Sequence, residues 1–253
     1  MKNVEKLIHV KNLKVGYNGE AVMKDINFSV AKGEVFGILG GSGSGKSTIF
    51  KHIIGLLPPM EGEIIIEGTD ITKISEDQKQ NITKKFGVLY QSGALFSSLT
   101  LEENIALPLK EFTDLPKDLI HSIAKVKLNL VGLNGFENFS PHELSGGMKK
   151  RAAIARALAL DPDILFFDEP SAGLDPISSV QLDDLILHLK ERLGVTIVVV
   201  THDLDSVFAI ADRIIILNEE SKSIVAEGKP EEIKKNTKNR WVKAFLNREI
   251  MRG

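Results

Sequence analysis

The sequence predicts an α/β fold, with a mainly parallel sheet, an antiparallel β layer and an inserted helical lobe. Three observations carry this expectation. Short runs rich in β-branched residues alternate with longer helix-like stretches, the pattern of a parallel sheet wrapped by helices. The first third of the chain instead alternates apolar and polar residues, as half-buried antiparallel strands do. The stretch from about 92 to 159 carries almost no strand signal.

Segments 7–17 and 22–30 are the antiparallel pair, turning at Tyr17-Asn18-Gly19-Glu20. Buried strands are expected at 34–39, 63–67, 86–90, 164–168, 195–201 and 213–217. Helices are expected at 46–54, 101–109, 117–131, 146–160, 177–193 and 204–211. Residues 1–232 then form one domain with a helical subdomain at about 92–160, and 233–253 form a basic helical tail. From 233 onward seven basic residues face one acid, Glu249, a net +6 on a chain that is −2 overall. Trp241, Val242, Phe245 and Leu246 share one helical face there, which suits docking on the chain's own domain. A partner subunit and a membrane surface are the alternatives.

The 253 residues are 43% hydrophobic and 26% charged, ordinary for a globular protein. With 32 basic and 34 acidic residues the surface is not uniformly basic, so nucleic acid is not an expected partner. The absence of cysteine excludes disulfides, iron–sulfur clusters, Cys-ligated zinc and thiol nucleophiles. No apolar run approaches the roughly 18–20 residues that span a bilayer, and residues 1–6 lack the apolar core of a signal peptide. The expected location is cytoplasmic, with any membrane role exercised through a partner.

Gly40-Gly41-Ser42-Gly43-Ser44-Gly45-Lys46-Ser47 matches the phosphate-loop pattern, between an apolar strand and a helix. Glycines let successive backbone N–H groups turn inward around phosphate oxygens, and the helix N-terminus adds positive partial charge. Lys46 reaches the β- and γ-phosphates, and Ser47 ligates Mg²⁺. The pattern implies a nucleoside triphosphate without saying what its energy drives.

A second strand, Ile164-Leu165-Phe166-Phe167, ends in Asp168-Glu169. It delivers two carboxylates to the carboxyl edge of the sheet, where ligands bind in such folds. Asp168 suits Mg²⁺, and Glu169 suits the role of general base or water-orienting group. The strand at 195–201 ends in His202-Asp203, where His202 can meet a γ-phosphate or Asp203 can simply cap a helix. Gln91 follows the strand at 86–90, within reach of a metal or an attacking water. Leu144-Ser145-Gly146-Gly147-Met148 opens an alanine-rich helix, a second anion-binding N-terminus. Two phosphate sites in one chain suggest a head-to-tail dimer, each ATP lying between the Lys46 loop of one copy and Ser145, Gly146 and Gly147 of the other.

These motifs, in this order, resemble the nucleotide-binding subunit of ABC transporters from about residue 7 to about 230. The resemblance implies a P-loop NTPase fold with a RecA-like parallel core, an antiparallel β subdomain and an inserted helical subdomain. It makes Tyr17 the aromatic that stacks on adenine, and Gly40, Gly41, Ser42, Gly43, Ser44, Gly45, Lys46, Ser47 and Thr48 the Walker A loop. Gln91 becomes the Q-loop glutamine, Leu144 to Met148 the signature, and 164–169 the Walker B strand with Glu169 catalytic. Ser171-Ala172-Gly173-Leu174-Asp175 becomes the D-loop and His202 the switch histidine. The implied catalytic set is Glu169, His202, Gln91 and Lys46; the implied Mg²⁺ set is Ser47, Gln91 and Asp168.

One position departs from the family pattern: Met148 stands where Gln is usual. Met cannot donate a side-chain hydrogen bond, but the phosphate-facing Ser-Gly-Gly is intact. Leu-Ser-Gly-Gly-Met, together with Leu89-Tyr90-Gln91-Ser92-Gly93-Ala94-Leu95-Phe96, is similar to the lipid-trafficking branch, the Mla-type phospholipid transporters that work with MCE-domain proteins. That resemblance implies an ATP-hydrolysing motor driving phospholipid trafficking, peripheral on the inner face of the membrane. It further implies a homodimer, an integral permease, an MCE-domain partner and a STAS-like accessory subunit. Leu95, Phe96, Leu99 and Leu101 are expected to offer the permease an apolar groove. The alternatives are the ATPase of an amino-acid-type importer and a soluble ABC ATPase of DNA repair or the ribosome. The latter group generally carries coiled-coil insertions or paired cassettes, which this chain lacks.

Overall fold

The computed structural model describes residues 5–249. The chain divides into two compact units. The first comprises Met1–Ile82 with Thr196–Gly253, and the second Thr83–Val195.

The first unit opens with β1 (Lys6–Tyr17) and β2 (Glu20–Ala31), an antiparallel pair. Asn18 and Gly19 both take positive φ at their turn, as a two-residue hairpin requires. Then come β3 (Val35–Gly40), α1 (Lys46–Ile53), β4 (Glu61–Ile66), β5 (Thr69–Asp70) and α2 (Glu76–Thr83). The antiparallel layer runs β2-β1-β4-β5. Every residue of β3 is buried, as expected of a strand covered on both faces. Phe28 of β2 stacks on Phe36 of β3 with ring centroids 5.2 Å apart, joining the two layers of this unit.

The second unit begins with β6 (Phe86–Leu89) and continues through α3 (Leu101–Phe112) and α4 (Lys117–Leu130). α5 (Gly146–Ala157), β7 (Ile164–Asp168) and α6 (Pro176–Leu193) complete it. β6 and β7 pair in parallel, and α3, α4 and α5 pack on one another. No strand separates β6 from β7, so the helical stretch expected at about 92–160 falls inside this unit. α3 starts at a capping box, Thr100 with Glu103. Asn104, buried on α3, accepts from the Phe96 N–H at 2.7 Å and donates to the carbonyls of Phe96 and Thr100, fixing the loop ahead of the helix.

The chain returns to the first unit with β8 (Thr196–Thr201), α7 (Leu204–Ile210), β9 (Arg213–Asn218) and β10 (Ser223–Gly228). α8 (Pro230–Asn236) and α9 (Arg240–Asn247) follow. β9, β3 and β8 lie parallel in that order, and β10 pairs antiparallel on the outer side of β9. The expected strands and helices appear with ends displaced by at most three residues. β5, α2 and β10 lay outside the sequence expectations, and α8 starts three residues ahead of the helical tail expected from 233. β5 is two residues long, α2 has no apolar stripe, and β10 is half exposed along its length, so none offers a periodic signal.

α9 docks on its own unit. Val242 and Leu246 enter the cluster of Leu39, Leu204, Val207, Ile214, Ile216 and Ile233, with Trp241 and Phe245 packed at its rim. The Arg248 guanidinium closes the helix onto α7 through Asp205 at 2.7 Å. Leu246→Ala is therefore expected to destabilise the fold by about 2–4 kcal/mol, measured by urea denaturation.

His52, on α1, is 1% exposed and donates from Nδ1 to the Thr48 carbonyl at 2.7 Å. Its Nε2 has no hydrogen-bond partner, and the residue lines a cavity of about 70 Å³ with Leu57, Ile64 and Ile71 among others. Burial, the largest cause, holds its pKa below the ordinary value of 6.5, while the Thr48 bond opposes this. The unfolded chain therefore binds the proton more readily. The stabilisation is complete above pH 6.5 and is lost as pH falls through the folded pKa. Unfolding free energy should decline between pH 6.5 and the folded pKa by at most about 1.4 kcal/mol per pH unit from this group, and His52→Gln should flatten the decline in a pH series of melts.

Candidate functional site: a phosphate loop and a carboxylate strand edge

In the first unit the site grows from the end of β3. Gly45 is the N-cap residue of α1 with φ of 82°, and a Cβ there would stand 2.6 Å from the Met23 side chain of β2. Both the left-handed backbone and the close approach of β2 demand glycine. The turn directs Lys46 back over the loop, where Nζ donates to the carbonyls of Gly40 and Gly41 at 2.9 Å each. Gly41, Ser42, Gly43 and Ser44 form the arc between strand and helix. Ser47 is exposed in the first turn of α1, with Thr48 buried after it. The arrangement collects backbone donors, a helix N-terminus and one ammonium, a cradle for phosphate oxygens.

Parallel pairing sets the neighbour of this loop. Leu39 of β3 pairs with Thr201 of β8, so His202 emerges beside Gly40. Asp203 then caps α7, accepting from the N–H groups of Asp205 and Ser206 at 3.1 and 3.3 Å. The histidine and the cap are thus adjacent residues with separate roles. Tyr17 stands 42% exposed at the end of the hairpin whose second strand touches Gly45.

On the opposite flank of β3, Gly40 pairs with Leu217 of β9, and the chain runs on to Glu219. A cavity of about 440 Å³ lies there, lined by Gly41, Ser42, Ser44, Glu219 and Trp241 among others. Trp241 and Glu219 were not expected near the loop, because long-range contacts bring them there, α9 packing for Trp241 and the pairing of β9 with β3 for Glu219.

In the second unit Leu89 pairs with Phe167, so Gln91 and Glu169 leave neighbouring strand ends. Asp168 ends β7, and with Tyr90, Gln91, Ser92, Ala172 and Gly173 it lines a cavity of about 550 Å³. Glu169 takes φ of 48°, a left-handed conformation that non-glycine residues adopt only when held there. Its carbonyl accepts from the Ala172 N–H at 3.2 Å and from Lys150 Nζ at 3.3 Å. Burial pulls the Lys150 pKa down, against the raising effect of Asp168 and Glu169.

The signature turn caps α5 in the same unit. The Ser145 hydroxyl accepts from the Met148 N–H at 3.3 Å, and Ser145 and Gly146 are exposed while Gly147 is buried. The N–H of Met148, not its side chain, completes the cap. Asp175, ending the D-loop, caps α6 by accepting from the Ile177 and Ser178 N–H groups. The Ser178 hydroxyl, hydrogen-bonded at 2.5 Å, is the largest cause holding its carboxyl below the ordinary range.

One expectation needs correction. Leu101, read as part of an apolar groove, is buried because it is the first residue of α3 and faces the core of its unit. Phe96 is 56% exposed, and Leu95 and Leu99 are half-buried.

Among the described residues no helix is long and apolar enough to cross a membrane. Comparison with known proteins agrees with the geometry. A family model described as ABC transporter matches residues 23–172. The intermembrane phospholipid transport system ATP-binding protein MlaF of Haemophilus influenzae is 44% identical, the match covering 90% of this chain and 86% of that protein. The structure of cbiO1 from Clostridium perfringens, part of the ABC transporter complex cbiONQ, superposes with a TM-score of 0.83 at 32% identity, over 90% of each chain. The ATP-binding cassette MJ0796, in a dimeric post-hydrolysis state bound to ADP and Pi, gives a TM-score of 0.79 at 34% identity, over 88% of this chain and 99% of that one. The chain belongs to the ABC transporter family, as an ATP-binding cassette with the P-loop fold.

Proposed function

We propose that this chain is the ATP-hydrolysing motor subunit of an ABC transporter that traffics phospholipid in the cell envelope. The observation that carries the reading is the phosphate loop itself. Its left-handed Gly45 and folded-back Lys46 stand at the start of α1, in a chain 44% identical to a phospholipid-transport ATP-binding protein.

The substrate is ATP. Tyr17 stacks on the adenine, and the N–H groups of 41–48 hold the phosphates. Lys46 exchanges its carbonyl partners for the β- and γ-phosphate oxygens. Glu169 orients a water and takes its proton as the water oxygen bonds to the γ-phosphorus and the bond to the leaving ADP oxygen breaks. His202 contacts the γ-phosphate, and Ser145, Gly146 and Gly147 of a second copy close over it.

The hydroxyl of Ser47, the side-chain amide oxygen of Gln91 and the Asp168 carboxylate are hard oxygen donors that suit Mg²⁺. Among the described residues no cluster of three or more acidic or histidine side chains forms a cage of its own. When bound, the ion neutralises charge on the phosphoryl oxygens.

Within this reading residues 1–232 are the cassette and the subunit sits on the cytoplasmic face of the membrane. It works as a homodimer on an integral permease, with an MCE-domain lipid-binding protein and a STAS-like accessory subunit as further partners.

Two outcomes test the proposal. Glu169→Gln should retain ATP affinity while turnover falls by about 10²–10⁴-fold, and ATP should trap the variant as a dimer in size-exclusion chromatography with light scattering. Near-normal turnover would remove Glu169 from its role. Purification of the tagged subunit from detergent extract should bring down a permease carrying phospholipid and an MCE-domain protein. Recovery of a periplasmic solute-binding protein instead would assign the motor to a polar-solute importer.

A further inference from the structure

α5 turns two cations inward, and both end on backbone carbonyls of its own unit. Lys150 is 6% exposed and donates to the Gln91 carbonyl at 2.5 Å and the Glu169 carbonyl at 3.3 Å. Two turns further on, Arg156 donates to the carbonyls of Ala94 at 2.6 Å and Gly93 at 3.0 Å. The loop lies flat on the helix between them. A Cβ built on Gly93 would stand 3.6 Å from the Ala153 methyl and 3.8 Å from the Lys149 carbonyl.

The backbone held this way is under constraint. Gly93, Ala94 and Glu169 have φ of 76°, 49° and 48°. For the two non-glycine residues this conformation is unfavourable by roughly 1–2 kcal/mol each and persists only where the surroundings over-determine it. Packing alone does not explain a lysine here. An apolar side chain would fill the same space without desolvating an ammonium. What the ammonium adds is a fixed spacing between two main-chain oxygens, one on the strand end that carries Gln91 and one on the strand end that carries Glu169.

We propose that Lys150 is a positioning residue for hydrolysis, its ammonium tying the backbones of Gln91 and Glu169 to the helix that starts at Ser145-Gly146-Gly147, so that the three groups move as one body. Arg156 extends the hold to Gly93 and Ala94. The inference rests on the ATPase reading above.

The test uses the full chain and three variants, Lys150→Met, Lys150→Arg and Lys150→Gln, each first checked for a wild-type circular dichroism spectrum. Steady-state ATPase kinetics, nucleotide affinity and amide exchange at 91–94 are then read. Lys150→Met should lose about 10- to 100-fold in kcat, the scale of a misplaced catalytic group, with ATP affinity kept within about twofold. Its exchange at 91–94 should rise by about tenfold as the loop opens locally. Lys150→Arg, which restores a long cationic donor, should recover kcat to within about threefold of wild type. Lys150→Gln keeps a shorter neutral donor and serves if the methionine variant does not fold; its kcat should fall with affinity unchanged. Wild-type kcat in Lys150→Met, or equal loss in the methionine and arginine variants, would overturn the positioning role while leaving the ATPase reading intact. A wild-type chain without ATPase activity would overturn that reading, and this inference with it.

Discussion

Parallel strand pairing is the constraint on which the site depends. In a parallel ladder the carboxyl ends of neighbouring strands emerge together, so whatever residue follows one strand stands beside the residue that follows the next. The pairing of Leu39 with Thr201 sets the phosphate loop next to His202. The pairing of Leu89 with Phe167 sets Gln91 next to Glu169. A shift of one residue in either register would reverse the faces of strands buried on both sides and separate the chemistry from its neighbour. β3 and β8 are buried along their whole length, so a shift would disturb packing on both faces and move the buried hydroxyls of Thr196 and Thr201.

Two lysines show how the same side chain serves different ends. Lys46 and Lys150 are both buried and both donate to backbone carbonyls. Lys46 sits at the start of α1, on a loop whose inward N–H groups and helix dipole favour an anion. Its carbonyl bonds keep the ammonium at the mouth of that loop. Lys150 lies within α5 between two strand ends, and its bonds join pieces of backbone to one another.

Much of the architecture was legible because its signals are local and periodic. β7 reads as four apolar residues followed by two acids, and it forms over Ile164–Asp168, ending at the first of those acids. The face of α9 follows from Trp241, Val242, Phe245 and Leu246 at helical spacing, and the core it meets belongs to its own unit. The phosphate loop declares itself through its glycine, lysine and serine spacing between an apolar strand and a helix. What escaped notice lacks a local signature. Lys149-Lys150-Arg151 drew no reading of its own, although helical periodicity puts Lys150 on the side of Ile154, which is buried. Leu101 opens a helix that the sequence also marks, but grouping it with Leu95, Phe96 and Leu99 ignored that this helix turns it toward the core of its unit. Glu219 and Trp241 reach the phosphate loop only through contacts between segments some 200 residues apart.

Trp241 is the chain's single tryptophan. Its indole stacks on Phe245 with centroids 5.2 Å apart and lines the same cavity as Gly41, Ser42 and Ser44. Fluorescence excited at the red edge of the protein band therefore comes from one place, where the helix that closes the fold borders the triphosphate cradle. The molecule carries its own optical reporter, and a change in emission during a titration or a rapid mix arises there without any attached dye.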